Sequence, residues 1–247
     1  MNSVQIRFYE ELNDFLPHEL KKVRFKHEFF GNPSIKDIIE SLGVPHSEVD
    51  LILVNGKSIN FSYNVSNKDD ISVYPVFESL DIKEIQHLRP EPLRNPKFIS
   101  DVHLGKLSSY LRMLGFDTIY NNTFTDEEII KISLNEKRTI LTKDTGILKR
   151  NEVTHAAYVY GTDPENQLIN VLKRFDLKRL IKEFTRCMEC NSELSKLDKE
   201  NIEDKIPPKV KTYQNEFYIC NGCKKIYWKG SHFQNMNILI ERIKNIE

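Results

Sequence analysis

No window of about eighteen consecutive residues is apolar throughout, and a membrane-spanning helix needs roughly that length. The opening residues, MNSVQIRFYE, lack the basic, apolar and small-residue order of a secretory signal. Both absences predict a cytosolic protein. Net charge is also absent, since 36 Lys and Arg balance 36 Asp and Glu. The balance is uneven, however. Residues 1–80 carry a formal charge of −4 and the remainder +4, which permits a basic surface on the later part. There is no cysteine before position 187. No internal repeat or low-complexity tract is visible.

The chain has 247 residues, of which 39% are apolar and 29% charged. That composition belongs to a soluble globular protein with a sizeable core and two or three domains. Residues 3–9 and 21–29 alternate in period two and predict strands, with Val23, Phe25 and His27 on one face of the second. Pro33 and Ser34 open a helix with Ile35, Ile38, Ile39 and Leu42 on one side and Gly43 as its stop. Residues 50–54 predict a buried strand. Asn55-Gly56 predicts a hairpin, and Ile71, Val73 and Pro75 a last strand. The order β-β-α-β-β-β is that of a small α+β roll over residues 1–80. Residues 81–96 hold Pro90, Pro92 and Pro96 and predict a linker.

From residue 98 the pattern changes to alternating strand and helix, which predicts a parallel-sheet α/β domain over 97–184. Predicted strands cover 98–99, 117–120, 139–142 and 156–160. The helix after the first places Leu104, Leu107, Leu111 and Leu114 on one face, with Gly115 stopping it. Thr125, Asp126, Glu127 and Glu128 head another helix. Residues 185–231 lose this periodicity and hold the cysteines. Phe233, Met236, Leu239, Ile240 and Ile243 predict a final amphipathic helix.

Ligands of open α/β sheets bind at the carboxyl ends of the strands. Asp101, Asp144 and Asp163 each follow a predicted strand there, and Asp126 opens the helix after the second strand. Four carboxylates on one edge repel each other, and Mg²⁺ or Mn²⁺ would relieve that repulsion with hard oxygen ligands. Each aspartate has a plainer reading as a helix N-cap. Asp126 is the most cap-like of the four, with Glu127 as an alternative ligand, and Asp163 before Pro164 is also an ordinary turn residue. Lys106 and Lys143 lie near the same edge, as phosphate contacts or as solvated lysines. His103 is close to Asp101, with a surface or helix-start role as its default.

Cys187-Met-Glu-Cys190 and Cys220-Asn-Gly-Cys223 are separated by 29 residues. Two such knuckles present four thiolates in tetrahedral reach, the pattern of a closed structural Zn²⁺ site. A pair of redox dithiols is the alternative, but neither pair opens a helix after a strand. Around the knuckles lie Lys205, Lys209, Lys211, Lys224, Lys225 and Lys229, with Tyr213, Phe217, Tyr218, Tyr227 and Trp228. Bases interleaved with aromatics suit single-stranded nucleic acid; alternatively the aromatics form a small core. Trp228 and His232, in WKGSH, are the better contact candidates. A basic helix over 173–186 would extend the patch.

At these residues residues 98–237 resemble the RNase domain family named after the C-terminus of the Mut-seven exonuclease. The matching motifs are FISDVHLGKLSSYLRMLGFDT, TDEEI, RTILTKD and the C-x-x-C pairs ending in YWKGSH. Residues 1–80 resemble the ubiquitin-like, sulfur-carrier-like domain often fused before it, through RFYEELNDFLP, GVPHSEVDLILVNGKSINFSY and ISVYPVF. The resemblance implies an N-terminal β-grasp domain and a PIN-like α/β nuclease domain. A zinc ribbon with a C-terminal helix over 185–247 completes it. It implies metal-dependent RNA cleavage, with Asp101, Asp126, Asp144 and Asp163 as catalytic residues and Asp101 and Asp144 on Mg²⁺ or Mn²⁺. Lys106, Lys143, Trp228 and His232 would contact RNA. The family usually has a small residue and Met after the first Asp, where this chain has Val102-His103. Sulfur carriers end in Gly-Gly, and this region runs on through Val76-Phe77-Glu78-Ser79. Carrier chemistry is therefore not expected, and residues 1–80 are assigned to binding RNA or a protein partner. The alternative for the whole chain is a non-catalytic RNA- or ribosome-binding module on a nuclease-like fold.

Overall fold

A computed structural model describes residues 1–75, 88, 96–202 and 206–245. The expected linker over 81–96 lies outside them apart from Leu88 and Pro96, and Lys205 also lies outside. Among the described residues, no helix is long and apolar enough to cross a membrane.

The N-terminal region is a five-stranded mixed sheet with one helix. Its elements are β1 (Asn2–Phe8), β2 (Phe25–Phe29), α1 (Ile35–Ser41), β3 (Val49–Val54), β4 (Lys57–Ile59) and β5 (Asp70–Pro75). The strands lie in the order β2-β1-β5-β3-β4. β1 runs parallel to β5 and the other neighbours are antiparallel, which is the ubiquitin-like arrangement. Alternation in β1 buries Val4, Ile6 and Phe8 against Ile35, Ile38 and Ile39 of α1. Ser34 caps α1 in a reciprocal box with Asp37. Asn55 and Gly56 both take positive φ, 50° and 79°, as a tight hairpin turn demands. The second strand is shorter than its alternation suggests. Lys22 adopts a left-handed φ of 59° and donates its amide to Asn13 Oδ1 at 2.6 Å, so pairing begins only at Phe25 and Val23 stays exposed.

The alternating pattern after residue 96 forms β6 (Phe98–Ser100), α2 (Gly105–Met113), β7 (Thr118–Tyr120), α3 (Asp126–Glu136), β8 (Thr139–Thr142), α4 (Thr145–Leu148), β9 (Ala156–Tyr158) and α5 (Pro164–Arg174). β6 pairs with β7 and β8 with β9, both in parallel. Leu104, Leu107, Leu111 and Leu114 are all buried, as the helical spacing predicts. Gly115 has φ +92°, and a Cβ there would lie 2.3 Å from the Lys182 carbonyl oxygen. Only glycine fits that approach.

The basic helix expected over 173–186 does not form. α5 stops at Arg174, Asp176 takes φ 45° and Phe184 φ 57°. The segment is used instead to satisfy the end of α2: Lys182 and Phe184 donate their amides to the Leu114 and Met113 carbonyls at 2.9 and 2.8 Å.

The C-terminal region holds β10 (Leu194–Leu197), α6 (Pro208–Tyr213), β11 (Phe217–Cys220), β12 (Ile226–Trp228) and α7 (Ser231–Lys244). Its three strands form an antiparallel sheet in the order β10-β11-β12. Ile202, Ile206 and Phe217 make its small core, and Leu239, Ile240 and Ile243 are the buried face of α7. By contact density the chain divides into two compact units, residues 1–95 with 125–159 and residues 96–124 with 160–247.

Candidate active site and metal centre

The four cysteines meet. Their Sγ atoms all lie within 4.8 Å of one another, with Cys187 to Cys223 at 3.6 Å and Cys190 to Cys220 at 3.2 Å. Tetrahedral zinc with Zn–S of about 2.3 Å sets neighbouring sulfurs at about 3.8 Å, so the donor set fits Zn²⁺. None of the four is in a disulfide. Burial opposes ionisation of Cys190, yet Ser192 hydroxyl and amide groups together with Cys220 pull its thiol down to about 5. The Lys225 amide favours the Cys223 thiolate, but burial and the three neighbouring cysteines outweigh it and push that thiol up to about 12. Four close thiols thus resist full ionisation together, and a divalent cation removes that obstacle.

A second layer holds the knuckles to the sheet. Arg112 is buried near the end of α2. Its Nε donates to the Thr118 carbonyl at 2.8 Å, and its Nη1 to the Met188 and Glu189 carbonyls at 3.0 and 2.7 Å. Burial lowers its pKa, while Cys187, Cys190, Glu189 and Asp117 oppose that effect. Asn191 donates to Asp117 Oδ1 at 2.8 Å and accepts from the Thr118 amide at 3.0 Å. The Tyr227 hydroxyl lies 3.0 Å from Cys187 Sγ, in place to donate to a thiolate, and burial raises its pKa. Sequence reasoning did not find Arg112, Asn191 or Tyr227 in these roles. The signal for Arg112 was a cation set between Leu111 and Met113, both on the buried side of α2.

The four aspartates divide between the two units, Asp101 and Asp163 in one and Asp126 and Asp144 in the other. Asp101 follows β6, is buried, and its Oδ1 accepts from the His103 amide at 2.8 Å. Asp144 follows β8, is exposed, and its Oδ1 accepts from the Gly146 amide at 2.7 Å. Asp163 Oδ2 accepts from the Asn166 amide at 2.9 Å at the head of α5. All three are therefore N-caps. Asp126, expected to be the most cap-like, is the one that does not cap: Thr125 caps α3 in a box with Glu128. Its neighbour Glu127 is engaged by Arg150 at 2.6 Å. Capping uses one carboxylate oxygen and leaves acceptor capacity on the group.

Lys106 is exposed, with its Nζ 5.0 Å from the Tyr110 ring centroid, and Lys143 is half-buried. Trp228 borders a cavity of about 60 Å³ with Phe184, Arg186, Tyr218, Lys229 and Phe233. His232 is exposed in the first turn of α7.

Family comparison decides the assignment: the Mut7-C RNAse domain matches residues 96–240, and the Mut7-C ubiquitin domain matches residues 1–81. The chain belongs to the Mut7-C RNAse domain family. No curated protein and no solved structure matches it. The Mut7-C RNAse match takes in both halves of the aspartate set and all four cysteines, and the Mut7-C ubiquitin match takes in the five-stranded sheet.

Proposed function

We propose that this Mut7-C protein is a cytoplasmic ribonuclease that hydrolyses RNA phosphodiesters with Mg²⁺ or Mn²⁺. The observation that carries the reading is the RNAse-family match over a region with an aspartate at the end of β6, at the end of β8 and at the head of α5. Asp101 and Asp144 would hold the cation, and Asp126 and Asp163 would complete the carboxylate set. These are hard oxygen donors, which suit Mg²⁺ or Mn²⁺. A divalent cation bound there would supply a Lewis acid and lower the pKa of an attacking water. The capping bonds keep the Asp101, Asp144 and Asp163 side chains oriented at their helix starts, so little rotamer freedom remains to be lost on binding.

In the same reading zinc is structural, because four thiolates close its coordination shell. The ribbon lies beside the aromatic cavity at Trp228, and a nucleobase stacked there with His232 nearby would hold single-stranded RNA. Lys106 and Lys143 would meet phosphates. The test is cleavage of single-stranded and structured RNA with Mg²⁺ or Mn²⁺, comparing wild type with the Asp101→Asn, Asp144→Asn double variant. Activity that survives the double change would sink the assignment. Tight RNA binding without hydrolysis by the wild type would support a non-catalytic RNA-binding module instead.

A further inference from the structure

The ubiquitin-like sheet shares one compact unit with residues 125–159. The contact runs through a short 3-10 turn, His46–Glu48, between α1 and β3. All three side chains are polar and all three are buried. Such burial is unfavourable unless each group finds a partner: His46 Nδ1 pairs with Glu40 of α1 at 2.6 Å, and the partners of Ser47 and Glu48 lie on α4 and β9. Ser47 Oγ donates to the Leu148 carbonyl at 2.8 Å. Glu48 Oε1 accepts from the Tyr158 amide at 2.5 Å. Beside them, Lys36 Nζ donates to Asn151 Oδ1 at 2.6 Å, and Phe15 meets the Tyr158 ring edge-on at 5.9 Å.

Each bond answers a need of the second segment. α4 is a single turn, Thr145–Leu148, and a helix that short does not hold itself. Its last carbonyls have no partner within the helix, and Ser47 takes one of them. The Val159 amide reaches across to the Thr142 carbonyl of β8 at 2.8 Å. Successive amides of a strand face opposite edges, so the Tyr158 amide points away from β8. Glu48 meets it there.

Asp144 lies between α4, whose N-cap it is, and β8, which pairs with β9. Its amide donates to Thr142 Oγ1 at 2.8 Å, and its Oδ1 accepts from the Gly146 amide at 2.7 Å. We infer that the turn His46–Glu48 is a built-in clamp, in which Ser47 and Glu48 are positioning residues for α4 and β9 and through them for the Asp144 carboxylate. The ubiquitin-like region then serves as part of the catalytic scaffold. The catalytic consequence rests on the ribonuclease reading; the clamp itself rests on the bonds above.

The test uses the full chain and three variants: Glu48→Ala, Glu48→Gln and Ser47→Ala. Gln keeps an oxygen that can accept from the Tyr158 amide. Amide hydrogen exchange is followed in peptides covering 140–160, and RNA cleavage with Mn²⁺ is measured on the same samples. Glu48→Ala is expected to speed exchange in those peptides roughly tenfold, the effect of losing a buried bond worth about 1.4 kcal/mol. It should lower kcat roughly tenfold with KM for RNA held within about twofold, and Glu48→Gln should recover most of both. Unchanged exchange in a folded Glu48→Ala protein overturns the clamp. Raised exchange with unchanged kcat overturns the positioning role. If Glu48→Ala does not fold, Ser47→Ala decides: faster exchange at 145–158 supports the clamp and wild-type exchange overturns it. A wild type that cleaves no RNA overturns the ribonuclease reading, while the exchange result still decides the clamp.

Discussion

Arg112 Nη1 donates to the carbonyl oxygen of Glu189 at 2.7 Å, joining α2 to the first cysteine knuckle across 77 positions of sequence. The zinc ribbon is thereby fastened to the helix that follows Asp101. With Zn²⁺ held by the four thiolates the centre would carry a formal charge of about −2, and the buried guanidinium of Arg112 would offset part of that charge.

Arg112→Met should therefore loosen the ribbon and the α2 end together. Three carbonyls lose their donor, so the expected destabilisation is about 3 kcal/mol. Zinc content, measured by atomic absorption after dialysis, should fall as well. Arg112→Lys should recover little, because an ammonium cannot reproduce the fork that serves three carbonyls. Full zinc content and a wild-type melting temperature in Arg112→Met would refute this role.

Asp101→Asn and Asp144→Asn separate capping from catalysis. Asparagine caps a helix about as well as aspartate, so each variant should stay within about 1 kcal/mol of wild type in thermal melts. RNA cleavage should fall by about two orders of magnitude or more, since a neutral amide is a poor ligand for a hard cation. Calorimetric titration with Mn²⁺ should lose its heat in parallel. Wild-type cleavage rates in either variant would remove that residue from the site.

Trp228→Ala tests the ribbon as an RNA surface. Loss of one stacking platform costs about 1–3 kcal/mol, so KM or Kd for single-stranded RNA should rise roughly fivefold to a hundredfold with kcat little changed. His232→Ala should give a smaller rise. Fluorescence anisotropy with a labelled oligonucleotide reads both. An unchanged Kd for Trp228→Ala would confine the tryptophan to packing.

His46 gives the pH dependence. Burial pushes its pKa below the usual 6.5, although Glu40, 2.6 Å from Nδ1, and the Val153 backbone pull it upward and Lys36 pushes it further down. A histidine with a lowered folded pKa binds its proton more readily when unfolded. Its contribution to stability is intact above about 6.5 and is lost as the pH falls below that value towards the folded pKa. The melting temperature should therefore drop on acidification below about 6.5, with a shallower drop in His46→Gln. The same slope in both proteins would exclude His46 as the source.

Local signals made most of the elements legible. Ser34 with Asp37 and Thr125 with Glu128 marked two helix starts, Asn55-Gly56 marked a hairpin, and the leucines of α2 marked its buried face. Each of these depends on residues within a few positions of one another. The basic stretch after Arg174 misled for a related reason. Its composition permits a helix, but the amides of Lys182 and Phe184 are taken by α2 carbonyls some 70 positions earlier.

The sequence by itself determined the family, the paired cysteine knuckles and the aspartates at the strand ends, because motif spacing and period are properties of neighbouring residues. Only the tertiary structure decided what holds those groups. That Arg112 would satisfy the Met188 and Glu189 carbonyls, and that Ser47 and Glu48 would be buried against α4 and β9, depends on groups 76 to 110 positions away. A polar side chain looks solvated in a sequence, and it becomes structural only when folding brings an unpaired backbone group within reach.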